Sequence, residues 1–216
     1  MSDSDSFIDE VTEEVRRDQL YAKFRRYGWI AVLAVLLLVG GAAYNEWRKA
    51  REQAAAQALG DNLIAALGQA DEAARAEALD ALALDGAPGA LGDLLAAGEE
   101  STAEDRGPAI ARLTALAEDA SAPVAYRHLA ALKAVWLMGA DTDAETRRGL
   151  LQPLAAPGRP FAPLAQEQLA LIAVETGDTE AAIAQLRDLI ASTEASLGLR
   201  QRAAQLMVAL GEDPGA

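Results

Sequence analysis

Cysteine is absent from this 216-residue chain, and histidine occurs once. Disulfides, thiol catalysis and zinc–thiolate sites are therefore excluded, although the absence of cysteine selects no compartment. Aromatic residues make up only 5%, and no long stretch alternates apolar and polar residues as a half-buried strand does. Abundant alanine, which loses no side-chain entropy on entering a helix, points the other way. The expected fold class is all-α.

The usual signatures of catalysis are missing too. There is no nucleophile elbow or nucleotide fingerprint. The sequence GAPGALG (86–92) has neither the lysine nor the Ser/Thr of a phosphate loop, and it reads as a turn. Asp141-x-Asp143-x-Glu145 begins like a calcium loop, but Thr146 stands at the glycine position and Gln152 where the last glutamate belongs. The lone His128 has no partner residue with which to bind metal or relay a proton. Neither enzyme activity, nor a cofactor, nor a metal site is expected.

Charge is unevenly placed. Residues 1–51 carry 8 acidic and 8 basic side chains, whereas residues 52–216 carry 25 acidic and 11 basic ones and hence the whole net charge of −14. A distal region of that sign repels phosphate backbones, so nucleic acid is not an expected partner. It repels anionic lipid headgroups as well, and would need a covalent tether to stay near them.

Such a tether is present. Between Tyr27 and Asn45 no residue is charged: YGWIAVLAVLLLVGGAAYN. Its fully apolar part, Gly28 to Ala43, is about 24 Å long as a helix, and the flanks bring it to the ~30 Å of a hydrocarbon core. Tyr27 and Trp29 bracket one end, Tyr44 and Trp47 the other, as interfacial rings do. Gly41-Ala42-Ala43 resembles a signal-peptide cleavage site, yet the acidic 27-residue tail before the span is unlike a signal peptide. A retained transmembrane helix is expected at 28–47. Five basic residues before it (Arg16, Arg17, Lys23, Arg25, Arg26) against three after it (Arg48, Lys49, Arg51) favour a cytoplasmic N-terminus. The tail, 1–27, reads as an amphipathic helix: Ser6 caps it, Phe7, Val11 and Val15 form a narrow stripe, and Glu13–Arg17 pair at i, i+4.

Past the anchor, helix signals come in pairs. Residues 48–85 read as a helical connector, with Leu59, Leu63 and Leu67 on one face and Asp71 capping a second helix. Residues 86–216 read as a repeat domain. Ser101–Glu104 and Thr142–Glu145 match the capping box, and Ser121 before Pro123 opens a helix to Met138. Gly139 and Gly177, 38 residues apart, each close a first helix and lead through similar turns into a second. That spacing is near the ~34-residue tetratricopeptide period. Ala170 and Ala182 flank the second turn, small enough to let paired helices cross closely. Hairpins of this kind bury their apolar faces by stacking, so the expectation is a tetratricopeptide-like helical-hairpin solenoid.

The order of FIDEVTEEVRRD, FRRYGWIAVLAVLLLVGGAAYNEWRK, APVAYRHLAALKAVWL and LALIAVETGDTEAAIAQLRDLI resembles the YfgM-type family over nearly the whole chain. Members of that family are ancillary subunits of the Sec translocon. The resemblance implies a single-pass protein of a bacterial inner membrane, with a periplasmic C-terminal domain that associates with the translocon and with periplasmic chaperones or secreted polypeptides. The other reading is an accessory subunit or assembly scaffold of a different inner-membrane complex. Tyr126, Trp136 and Phe161 are the scarce distal aromatics and the candidates for gripping a bound polypeptide, against the alternative that they fill the core.

Overall fold

The computed structural model describes the backbone of residues 3–214, and the side chains of residues 25–214 except 27, 28 and 31. Among them every regular element is a helix: α1 (Asp3–Leu67), α2 (Glu72–Asp80), α3 (Gly86–Glu100), α4 (Gly107–Glu118), α5 (Val124–Met138), a 3-10 turn (Gly139–Asp141), α6 (Ala144–Leu151), α7 (Ala162–Glu175), α8 (Thr179–Ala191) and α9 (Leu197–Ala209). The all-α expectation holds. The chain divides into two units, Met1–Ala58 and Leu59–Ala216.

The first unit is helix throughout its described backbone. Its described apolar side chains from Trp29 to Val39 are exposed on every side, Leu38 most of all at 74%. A ring pair follows, Tyr44 and Trp47, with centroids 6.0 Å apart. The Arg51 guanidinium lies 5.6 Å over the Trp47 ring, a favourable placement of a cation on an aromatic face. Among the described residues no helix is long and apolar enough to cross a membrane. The uncharged run 32–45 reaches about 21 Å at ~1.5 Å per residue, short of a ~30 Å hydrocarbon core. The span expected at 28–47 counts residues 28 and 31, which, like Tyr27 and the tail's Phe7, Val11, Val15 and Glu13–Arg17, lie outside the described side chains.

The second unit is a series of four small cores, each sharing a helix with the next. Leu63 and Ala66 of α1, Ala76 and Leu79 of α2 and Ala96 of α3 form the first. The other face of α3 (Ala90, Leu94, Ala97) meets Leu113 and Leu116 of α4 and Ala130 and Ala134 of α5. Ala131, Leu132 and Val135 of α5 then join Leu151, Leu154, Ala165 and Ile172. Ala170 of α7 joins Leu186, Leu189, Leu199, Ala203 and Met207 of α8 and α9. Thus α3, α5 and α7 each contribute buried residues to two cores. Residues 59–85, expected as part of a connector, supply the first of these cores.

Ion pairs tie the same neighbours. Arg112 of α4 reaches Asp80 and Glu100 at 2.8 Å each, and Asp93 at 3.3 Å, linking α2, α3 and α4. Arg147, the one buried charged residue among the described ones, donates to Glu175 at 2.6 Å and to the Thr142 carbonyl at 3.1 Å.

Several boundaries follow the predicted chemistry, and others correct it. The Asp71 carboxylate accepts from the Ala74 amide and caps α2 as expected, and Asp178, read only as part of a turn, caps α8 through the Ala181 amide. Gly139 and Gly177 end α5 and the α7 turn at φ +56° and +79°, a region glycine enters without steric cost. GAPGALG is not a turn: it forms the opening turns of α3, where Pro88 needs no intrahelical N–H partner. Gly89 there approaches Leu84 so closely that an added Cβ would lie 2.4 Å from its carbonyl oxygen. Ser101 does not open a helix but closes α3, and α4 starts at Gly107, whose amide is held by the Asp105 carboxylate at 2.8 Å. Ser121 bonds the Asp119 carboxylate instead of capping α5. In the Thr142–Glu145 pattern Asp143, not Thr142, is the cap.

Ala170 and Ala182 are both fully buried, consistent with the close α7–α8 packing expected of them. Ala182→Leu should lower the unfolding free energy by about 1–3 kcal/mol through overpacking. Ala184→Leu, on the exposed side of the same helix, should change it by less than ~0.5 kcal/mol. Chemical denaturation followed by circular dichroism checks the pair.

Candidate functional site

The three distal aromatics do not converge. Tyr126 is half-buried against the α3–α4–α5 core, and Phe161, just before α7, packs against the α5–α7 core. Trp136 alone stands out, 47% exposed near the end of α5.

A groove lies elsewhere, along α5 between α4 and α6, with a volume of about 490 Å³. Volumes of ~300–1,000 Å³ are usual for ligand sites. α5 supplies Arg127, His128, Ala131 and Met138; α4 supplies Thr114, Ala117 and Glu118; α6 and the turn after it supply Thr146, Gly149, Leu150, Pro153 and Leu154. The local sequence explains the space. α6 is only 8 residues long. Gly149 in its interior presents no side chain, and nothing lies within 4 Å of where its Cβ would be. Glycine inside a helix costs about 0.5–1 kcal/mol relative to alanine.

Two polar atoms of groove-lining residues lie beneath its surface. Thr114 Oγ1 and His128 Nδ1 are buried and have no hydrogen-bond partner, although such atoms normally find one. Burial holds the His128 imidazole below its usual range, and the positive charges of Arg159 and Arg127 add to the effect. Arg127 itself donates from Nε to the Ala117 carbonyl at 3.2 Å, binding α5 to the end of α4. Its charge also helps to hold the Asp119 carboxyl below the usual range, after the larger effect of the bonds from Ser121.

A second cleft of about 520 Å³ is lined by Asp93, Arg112 and Asp119, but Arg112 there is taken up by its three carboxylates. Among the described residues no three His, Asp or Glu side chains are placed to hold a metal ion. Sequence reasoning weighed His128 for catalysis and metal binding, and passed over Thr114 and Gly149. Thr114 falls beside the core positions Leu113 and Leu116 of the same helix, and its missing partner is a tertiary property that no local pattern records.

No family model, curated protein or solved structure matches the chain.

Because His128 is the only histidine, its ring protons give one imidazole set in a proton spectrum. Their titration midpoint should lie below the ~6.5 of an unperturbed histidine. A depressed folded pKa means that the unfolded chain takes up the proton first. The stability this group contributes is therefore complete above about pH 6.5 and is lost as pH falls through the folded value. His128→Gln should remove that part of the acid sensitivity. A midpoint at or above 6.5, or an unchanged acid slope in the variant, would contradict this account of the site.

Proposed function

We propose that the chain is a single-pass inner-membrane protein whose acidic, tetratricopeptide-like domain lies in the periplasm and binds other proteins. The observation that carries this reading is the surface of α1. Its described apolar side chains from Trp29 to Val39 are exposed, and a Tyr44–Trp47 ring pair with Arg51 over the Trp47 ring follows them. An exposed apolar run of that extent is a place for a bilayer or a partner to cover, and rings followed by a cation suit a membrane interface. The hairpin order supports the repeat reading: paired helices α5/α6 and α7/α8 turn at Gly139 and Gly177, and successive cores share helices as stacked repeats do.

In this reading the protein is an ancillary subunit of the Sec translocon that links translocation to periplasmic chaperones, as its resemblance to the YfgM-type family implies. The mechanism is binding without catalysis. A tether raises the effective concentration of the domain near its partner, so weak contacts suffice. The domain's negative charge keeps it off anionic headgroups and nucleic acid.

The test begins with reporter fusions after Asp85 and at the C-terminus. Both should be active only for an enzyme that matures in the periplasm. Capture of the full chain in mild detergent should retrieve translocon subunits and periplasmic chaperones. Cytoplasmic reporter activity at both sites would overturn the topology. Retrieval solely of subunits of an unrelated membrane complex would replace the translocon reading with that of a scaffold.

A further inference from the structure

From two arginines that lack ion-pair partners at the α4–α5–α6 groove we infer a binding site for a single carboxylate, gripped by Arg127 of α5 and Arg159 of the α6–α7 connection. The inference concerns ligand chemistry and does not depend on the topology or the partners proposed above.

Past residue 51 the chain carries 25 acidic side chains against 11 basic ones, so a basic group there has many carboxylates within reach. Arg75, Arg112, Arg147, Arg148, Arg187 and Arg202 each meet one at 3.7 Å or less. Arg127 and Arg159 form no such pair among the described residues. Arg127 commits only its Nε, which donates to the Ala117 carbonyl at 3.2 Å; its terminal nitrogens donate to no group of the described chain, although a guanidinium carries donors on all of them. Arg159 is exposed on its connection and makes no side-chain bond among the described residues. Asp119 feels the charge of Arg127, but its carboxylate accepts from the Ser121 amide and hydroxyl at 2.8 and 2.7 Å and lines the other cleft.

The two guanidinia belong to one place. Arg127 and His128 line the groove, and Arg159 follows the lining residues Pro153 and Leu154 along the same connection. Both positive charges bear on the His128 ring, which feels no carboxylate among the described residues. An anion there meets two cations beside a cavity of about 490 Å³, and charge-assisted bonds are roughly twice as strong as neutral ones. The planar guanidinium fork fits the two oxygens of a carboxylate. One negative charge suits the site better than two. Glu118, the acidic residue of the groove lining, opposes a dianion, and the acidic excess of the domain repels a polyanion.

The single histidine supplies the probe. With 13C-labelled histidine in the full chain in uncharged detergent micelles, the ring resonances are followed as acetylated and amidated Ala-Glu-Ala is added. They should shift saturably. The titration midpoint of the ring should rise at saturation, because a neighbouring carboxylate favours the imidazolium. The matching Ala-Gln-Ala peptide should give no saturable shift, and inorganic phosphate should bind more weakly than the Glu peptide. Propionate offers the same group without a chain: weaker binding than the Glu peptide assigns the site to a polypeptide side chain, and equal binding assigns it to a free organic acid. Arg159→Gln removes no bond of the fold. It should weaken the Glu peptide at least about tenfold, the loss of one charge-assisted hydrogen bond, and raise the His128 midpoint of the free protein by removing a positive neighbour. Arg106→Gln makes the same change in net charge at the opposite end of α4 and should alter neither.

The inference is overturned if the Glu peptide gives no saturable shift, if the Gln peptide shifts the ring equally, or if phosphate binds more tightly than the Glu peptide. A midpoint that does not rise at saturation, or Arg159→Gln behaving like Arg106→Gln, overturns it as well.

Discussion

Close helix crossings built on alanine are the constraint on which the second unit depends. With aromatics at 5% of the chain, small side chains stand where the helices pack. Ala96, Ala97, Ala109, Ala130, Ala134, Ala165, Ala170 and Ala182 are each fully buried, and leucines fill the spaces between the crossings. The consequence is four small cores in series instead of one large one. A shortage of bulk at a single crossing therefore opens a groove instead of collapsing the domain. At the α4–α5–α6 junction, Gly149 lines the groove with open space where a Cβ would stand.

The first unit meets the opposite condition. Its described apolar side chains from Trp29 to Val39 are exposed, and in water such surface is unfavourable by about 25 cal/mol for each Å² left uncovered. The described apolar surfaces thus fall into two classes. In residues 59–216 short helices cover one another. The described apolar side chains of residues 29–39 are instead exposed, and in the proposed reading a bilayer covers them, with Tyr44, Trp47 and Arg51 at the lipid–water boundary. The charge distribution agrees with this division, since the −14 falls entirely past residue 51.

Much of the helical order was legible in the sequence because its signals are local. Asp71 caps where a short carboxylate before a helix should, and Gly139 and Gly177 end helices where only glycine is unstrained. The misreadings share one cause: a pattern can be satisfied in sequence and unused in space. Ser101-x-x-Glu104 has capping-box spacing, but α3 runs on to Glu100 and turns Ser101 into its last cap. GAPGALG has turn composition, yet a proline in the first helical turn costs no hydrogen bond. The groove was not legible. Its existence depends on which faces of α4 and α6 flank α5, and its unbonded atoms are defined by neighbours far apart in the chain.

In the proposed reading the apolar stretch of α1 is covered by a bilayer. The lack of native cysteine allows single labelling sites to be introduced without background. Spin labels at Leu36→Cys and Gln57→Cys, read in liposomes of the full chain, report accessibility to molecular oxygen, which concentrates in hydrocarbon, and to a water-soluble nickel chelate. The account predicts that position 36 is open to oxygen and shielded from nickel, and that position 57 shows the reverse. Equal access of the nickel chelate to both positions would contradict it.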